Sequence, residues 1–386
     1  MKDFIFHIPT KIVFGRGVFR DIGSYAALYG RRILLVAGSG SARRNGTLDG
    51  VIDSLKAANL DISLLEGVVS NPLLSKVREG ISIARDRNVD TLVALGGGSV
   101  IDTAKAIAAG CLLEKGDIWD VFTCKQEIGK ALPLLTVPTI AASGSEMNGY
   151  MVITNEKTRN KLASASPHIQ PKVSLLDPEI TFSVPKDYTA YGGIDAVCHL
   201  LEPFFNSSCS DTVLQDRIAA SLIKTIMEAT ARACDVPDDY NARAQLMWGA
   251  SLALCGLTKA GVGDHIFFMH LIEHSISALF NVAHGAGLAA IIPGWLTWKA
   301  LSDPDRVLHL GKLLWPCEEM DSYRTTVDNL VSWMSSLEAP VCLADLGITV
   351  NNHEEIADNI MVQVNLRWNR GPVSKEVILK ILNHCQ

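Results

Sequence analysis

The stretch LVALGGGSVIDTAKAIA, Leu92 to Ala108, runs an apolar strand into three consecutive glycines and then straight into a helical pattern. Leu92 to Leu95 is apolar throughout, as a strand buried on both faces must be. Gly96, Gly97 and Gly98 remove every Cβ from the turn, so the backbone can approach a ligand. Ser99 and the start of the following helix add exposed amides and the positive end of a helix dipole, a combination that favours a pyrophosphate. A tight strand-to-helix turn alone needs only one or two glycines, so phosphate binding is the stronger reading by analogy with known glycine loops.

On either side of it, RILLVAG, DISLLEG and LPLLTVPT read as further buried strands, each an apolar run stopped by Gly or Pro. NGTLDGVIDSLKAANL and LLSKVREGISIARDRNV carry apolar residues at helical spacing between them. KVSLLDPEITFSVPKDY supplies one more strand. Strand and helix alternating at this rhythm predict a parallel sheet covered on both faces. Beyond Pro185 the texture changes to long helical segments such as DTVLQDRIAASLIKTIMEATARA and NARAQLMWGASLALCGL. The expected architecture is therefore an α/β dinucleotide-binding domain over residues 1–184 and an all-helical domain over residues 185–386, with the boundary between Val184 and Asp187.

The bulk numbers agree. A chain of 386 residues exceeds one ordinary core, and 48% hydrophobic with 20% charged residues describes a packed globular protein. A net charge of −6 gives no basic footprint for nucleic acid or an anionic membrane. The nine cysteines, Cys317 among them, form no Cys-x-x-Cys pair and are odd in number, which fits reduced thiols in a cytoplasmic enzyme. Asp3 and His7 interrupt the N-terminus, so it does not read as a signal peptide. GAGLAAIIPGWLTW is too short and too broken to span a bilayer.

A second glycine turn, VAGSGSARRNG, ends the first strand with Gly38, Ser39, Gly40 and Ser41. Arg43 stands where a Gly-x-Gly-x-x-Gly fingerprint would have its last glycine, so the motif is incomplete. The turn lacks an acid for a ribose 2′-hydroxyl, whereas Arg43 and Arg44 suit a 2′-phosphate. Two solvated arginines on a helix face explain the pair equally well.

The helical half holds the other chemistry. Asp195 and His199 are four apart, which puts them on one helix face. His270 and His274 repeat that spacing in HLIEHSISALFNVAH, and His284 follows His270 by fourteen residues, although NVAHG is a candidate break. The His-x-x-Glu-His start of this stretch is also a peptidase signature, with Glu273 as general base. A peptidase, however, has no use for two glycine loops or for Asp195 and His199. His7, His168, His265 and His309 read as ordinary core or surface residues.

Together these segments resemble the iron-containing (group III) alcohol dehydrogenases. Pro185, Ala190, Gly192, Asp195-Ala-Val and Glu202, preceded by Asp177, are similar to that family's first signature, and His270 to Gly285 to its second. GGGSVIDTAK and VPTIAASGSEMN are similar to its cofactor loops, in the same order. The likeness runs from about Pro9 to Pro293. It implies one divalent metal, Fe(II) or Zn(II), on Asp195, His199, His270 and His284, with His274 beside them as a proton relay. It places Asn71, Gly97, Gly98, Ser99, Asp102, Thr139, Ser143, Ser145 and Lys161, together with the Gly38–Ser41 turn, at a nicotinamide dinucleotide. Phe267 departs from the small residue usual three positions before the first histidine ligand, which bears on the shape of the substrate site.

What the resemblance implies is hydride transfer between a small to medium primary alcohol or aldehyde and NAD(P)(H), the metal polarising the substrate oxygen. NADP(H) is favoured over NAD(H) on the strength of the Arg43 turn, and a homodimer is expected. Glycerol dehydrogenase-like polyol oxidation is the nearest alternative. A dehydroquinate synthase-like lyase shares the fold, but would need Lys and Arg around its substrate where this chain has HIFFMHLIEHSISALF.

Overall fold

The structure is a computed structural model describing residues 1–209, 211–316, 322–368 and 373–386. The chain divides into His7–Val184 and a second unit of Pro185–Gln386 joined by Met1–Phe6. Placing the first six residues with the helices corrects the expected 1–184 domain. The Lys2 amide donates to the Gly261 carbonyl at 2.8 Å, and Met1 and Phe4 fill the space beside Gly261, a left-handed residue at φ +79°.

The strands of the first unit are β1 (Lys11–Phe14), β2 (Arg32–Gly38), β3 (Asp61–Val68), β4 (Thr91–Gly96), β5 (Leu134–Pro138), β6 (Tyr150–Asn155), β7 (Asn160–Ala165) and β8 (Val173–Leu176). Six of them form a parallel sheet in the order β1-β8-β5-β4-β2-β3, and β6 and β7 form a separate antiparallel pair. The helices here are α1 (Ile22–Ala26), α2 (Ser41–Arg44), α3 (Thr47–Ala57), α4 (Leu74–Asp86), α5 (Gly98–Gly110) and α6 (Trp119–Phe122).

Alternate residues of a strand face opposite sides, and β2 shows both being buried. Leu34 and Val36 pack with Val77 and Ala84 of α4 and Ile101 and Ala104 of α5. Ile33, Leu35 and Ala37 pack with Leu48, Val51 and Leu55 of α3. A sheet covered on both faces needs continuous apolar strands, which is why these strands were legible. The sequence reading missed β1 and the β6–β7 pair. β1 is a four-residue edge strand with exposed ends, and Lys157 and Arg159 interrupt any alternation between β6 and β7.

The chain leaves β2 toward β3 on one side and leaves β4 toward β5 on the other. The order therefore reverses between β2 and β4, and ligands of open α/β sheets bind beyond the strand ends at such a point. Both glycine turns stand there.

The second unit is helical: α7 (Lys186–Asn206), α8 (Val213–Asp235), α9 (Tyr240–Leu254), α10 (Phe268–Phe280), α11 (His284–Ser302), α12 (Pro304–Leu314), α13 (Tyr323–Ser336), α14 (His353–Trp368) and α15 (Lys375–His384). α7 is buried along nearly its whole length. It approaches α8 so closely that a Cβ on Gly193 would lie 2.0 Å from Thr230 Oγ1. No described helix is long and apolar enough to cross a membrane. Cys111, Cys124, Cys198, Cys209, Cys234, Cys255, Cys342 and Cys385 are free thiols; Cys317 lies outside the described residues.

Candidate metal centre and cofactor loops

Asp195, His199 and Glu202 occupy successive turns of one face of α7, and all three are buried. α10 brings His270 and His274. Asn281, in the left-handed region at φ 53°, ends α10, so the helix breaks within NVAH and His284 becomes the first residue of α11. Gly285 then allows α11 to start against α7, since a Cβ there would stand 2.3 Å from the Tyr191 carbonyl oxygen.

This packing gathers three imidazole nitrogens around one carboxylate oxygen. Asp195 Oδ1 is 3.5 Å from His199 Nε2, 3.4 Å from His270 Nε2 and 3.6 Å from His284 Nε2. Yet Asp195 Oδ1 and His270 Nε2 are buried with no hydrogen-bond partner. Four ligands around a divalent ion at about 2.0–2.2 Å are separated by about 3.3–3.6 Å along the edges of their tetrahedron. The observed spacings match those edges, and the orphaned atoms are the ones an ion would satisfy. Asp195, His199 and His270 already place ligand atoms within 4.8 Å of one another.

At Asp195 and His199 the electrostatics points the same way. Burial would raise the Asp195 carboxyl, but His199 and His284 hold it well below the usual carboxylate range. Burial pushes His199 down to about 3 against the pull of Asp195, leaving its imidazole neutral at pH 7. A neutral imidazole and an ionised carboxylate are the states in which these groups bind metals. Burial pushes the Cys198 thiol up to about 12. Cys198 packs 3.9 Å from His270 Nδ1, the ring nitrogen on the Glu202 side and not the one nearest Asp195.

Two buried acids hold the rings. Glu202 Oε1 stands 3.2 Å from His270 Nδ1 and accepts the His270 amide at 2.9 Å, while Oε2 accepts the Phe268 amide at 2.8 Å. Glu273 accepts from Ser277 Oγ and contacts His284 Nδ1. Glu273 is fully buried in these bonds, so it orients His284 and is not the exposed base that a peptidase needs. Carboxylate-to-histidine contacts of this kind fix ring orientation and raise basicity. His274 lies alongside, its ring 6.4 Å from that of His270 and 5.9 Å from that of His284. Phe267 presents its ring edgewise to His199, at 6.3 Å, and to His270, at 5.5 Å.

In the α/β unit, Gly97 caps α5 with no side-chain bond, leaving the first-turn amides of Gly98 and Ser99 to the site. A Cβ on Gly98 would lie 2.4 Å from Ser143 Oγ, so the glycine lets the two loops close on each other. The Thr139 amide donates to the Gly96 carbonyl at 3.2 Å, tying the end of β5 to that of β4. Ser145 Oγ donates to Asp102 Oδ1 at 2.6 Å, and Asp102 Oδ2 accepts the Val152 amide at 2.9 Å. Fully buried Lys105 binds the Ser145 carbonyl at 2.7 Å, Ser145 Oγ at 2.8 Å, Asn148 Oδ1 at 3.2 Å and the Tyr150 carbonyl at 2.7 Å. Asp102 and Ser145 thus brace the loop from behind through their side chains. Lys161 Nζ donates to Asn71 Oδ1 at 2.9 Å, and both residues are buried.

Around Gly38–Ser41 the structure revises the sequence reading. Arg43 Nε and Nη2 bind Glu66 Oε1 and Oε2 at 3.1 and 2.7 Å, a two-pronged pair. Glu66 lies on β3, so Arg43 already has a carboxylate partner.

Residues 9–178 match the family model described as iron-containing alcohol dehydrogenase, and residues 189–385 match its C-terminal domain. The chain belongs to the iron-containing alcohol dehydrogenase family. A relative in Bacillus subtilis, probable NADH-dependent butanol dehydrogenase 1, is 38% identical and covers 99% of both chains. The NADPH-dependent aldehyde reductase YqhD of Escherichia coli is 32% identical over 90% of both. The crystal structure of NADH-dependent butanol dehydrogenase A from Thermotoga maritima superimposes with a TM-score of 0.94. It shares 41% identity and covers 100% of this chain and 99% of its own.

Three supports of this dehydrogenase's sites went unassigned in the sequence. Glu202 was visible in the signature and continues the Asp195, His199 face, a spacing that could have marked it. Lys105 and Glu66 act through loops and a neighbouring strand, and no local pattern signals them.

Proposed function

We propose that this dehydrogenase reduces small to medium aldehydes, and oxidises the matching primary alcohols, at Asp195, His199, His270 and His284. The hydride passes between the carbinol carbon and a nicotinamide dinucleotide, and one proton is taken up for each aldehyde reduced. The observation that carries this reading is the cluster of three Nε2 atoms 3.4–3.6 Å from Asp195 Oδ1. When bound, an Fe(II) or Zn(II) ion supplies the Lewis acidity that polarises the substrate oxygen. Asp195 contributes the single negative charge of the ligand set, and His199 its neutral lone pair. Glu202 and Glu273 keep the rings of His270 and His284 aimed. His274 carries the proton to or from the substrate oxygen.

Phe267 at the edge of the imidazole cluster favours an apolar chain over a polyol. The names of the relatives point the same way, since they include butanol dehydrogenases and an aldehyde reductase. A homodimer and a cytoplasmic setting belong to the same proposal; free thiols suit a reducing compartment. Metal analysis of the purified protein, followed by butanal reduction with NADPH and with NADH, tests the reading. Absence of turnover of any aldehyde by the metal-loaded enzyme sinks it.

A further inference from the structure

We propose that Glu66 sets the coenzyme preference of this enzyme, selecting NAD(H) against NADP(H). The inference rests on the reading that the Gly38–Ser41 turn receives the adenosine ribose. β2 and β3 are parallel neighbours with Val36 opposite Leu65 and Gly38 opposite Val68. That register puts Glu66 level with the start of the turn. Its side chain is 34% exposed and that of Arg43 52% exposed, so both reach the solvent side where a ribose would lie.

Glu66 acts in two ways. It occupies the guanidinium that could otherwise pair with a 2′-phosphate, using both carboxylate oxygens. It also adds a negative charge facing a group that brings about −1.5 to −2 more. A ribose 2′-hydroxyl meets the opposite situation, because a carboxylate accepts its proton in a hydrogen bond. Arg44, whose Nη1 lies 3.2 Å from where a Cβ on Gly40 would stand, is the remaining cation beside the turn. It leaves a residual attraction for the phosphate, so the preference is a ratio and not an exclusion.

The test compares wild type, Glu66→Gln and the double variant Glu66→Gln/Arg43→Ala in the metal-loaded enzyme, with butanal and each coenzyme. Fluorescence titration gives Kd for NADH and NADPH without substrate. Wild type should favour NADH in kcat/KM. Glu66→Gln should shift the ratio toward NADPH by about tenfold or more through the KM for NADPH, as expected for removing one close repulsive charge and releasing Arg43. The double variant should lose the part of that gain that Arg43 supplies and keep the part that comes from the removed charge, so its ratio should fall between those of wild type and Glu66→Gln. A wild type that favours NADPH, or a ratio unchanged by Glu66→Gln, overturns the proposal. If wild type binds neither coenzyme in the titration, the dehydrogenase reading itself fails and takes this inference with it.

Discussion

Glu202 grips His270 at two places, its backbone amide at 2.9 Å and its ring Nδ1 at 3.2 Å, from the helix that also carries Asp195 and His199. One buried acid therefore holds the first-turn amides of α10 and aims a proposed metal ligand. With Nδ1 engaged, Nε2 is the nitrogen turned to Asp195.

Glu202→Gln should keep an oxygen for the amides but weaken the hold on the ring. Metal affinity, measured by chelator competition, should fall by about 10–100-fold, with modest loss of Tm. Glu202→Ala also strips acceptors from the buried Phe268 and His270 amides and should cost a further ~1–3 kcal/mol in urea unfolding. Equal metal affinity in wild type and Glu202→Gln would contradict the orienting role.

Gly285→Ala places a methyl 2.3 Å from the Tyr191 carbonyl oxygen, backbone that cannot swing aside. α11 must shift, at about 1–3 kcal/mol, and carry His284 with it. The expected result is lower Tm together with partial metal loss. Gly98→Ala, meeting Ser143 Oγ at 2.4 Å, should instead weaken NADH binding at unchanged metal content.

Lys105 gives a pH signature. Burial holds it down to about 8 from its ordinary 10.5, so between those values the unfolded chain binds the proton and the folded one does not. Stability then rises with pH across this window, by up to about 3 kcal/mol from this group. Below about 8 the ammonium is buried at that cost, partly offset by its four oxygen partners. Urea unfolding at pH 7.5 and 10 should show wild type gaining on Lys105→Met. A constant gap between the two proteins contradicts this.

His274→Ala should lower kcat by about 10²–10⁴-fold, the range for a missing acid–base group. The loss should shrink when a small exogenous imidazole is added. Retention of full kcat would remove His274 from the chemistry.

How far the sequence could be read follows from how local each signal is. β2, β4 and β5 were visible because burial on both faces forces unbroken apolar runs. The Asp195–His199 and His270–His274 pairs were visible because a helix repeats its face every four residues. Edge strand β1 has only half a reason to be apolar, and β6–β7 is split by charged residues. The Arg43–Glu66 pair was not legible, because the carboxylate lies 23 residues on, in the neighbouring strand. Glu273 has a role in the sequence only as the general base of the peptidase signature; the break at Asn281, which brings His284 back beside it, is what lets it hold that ring.

Metal content per chain in wild type, His284→Ala and His274→Ala, purified identically and reloaded with Fe(II) or Zn(II), separates the two possible ligand sets. Asp195, His199, His270 and His284 as the ligand set requires about one ion in wild type, retention in His274→Ala and loss in His284→Ala. Retention by His284→Ala with loss from His274→Ala would contradict that set and return His270 and His274 to the paired-ligand reading of the His-x-x-Glu-His stretch.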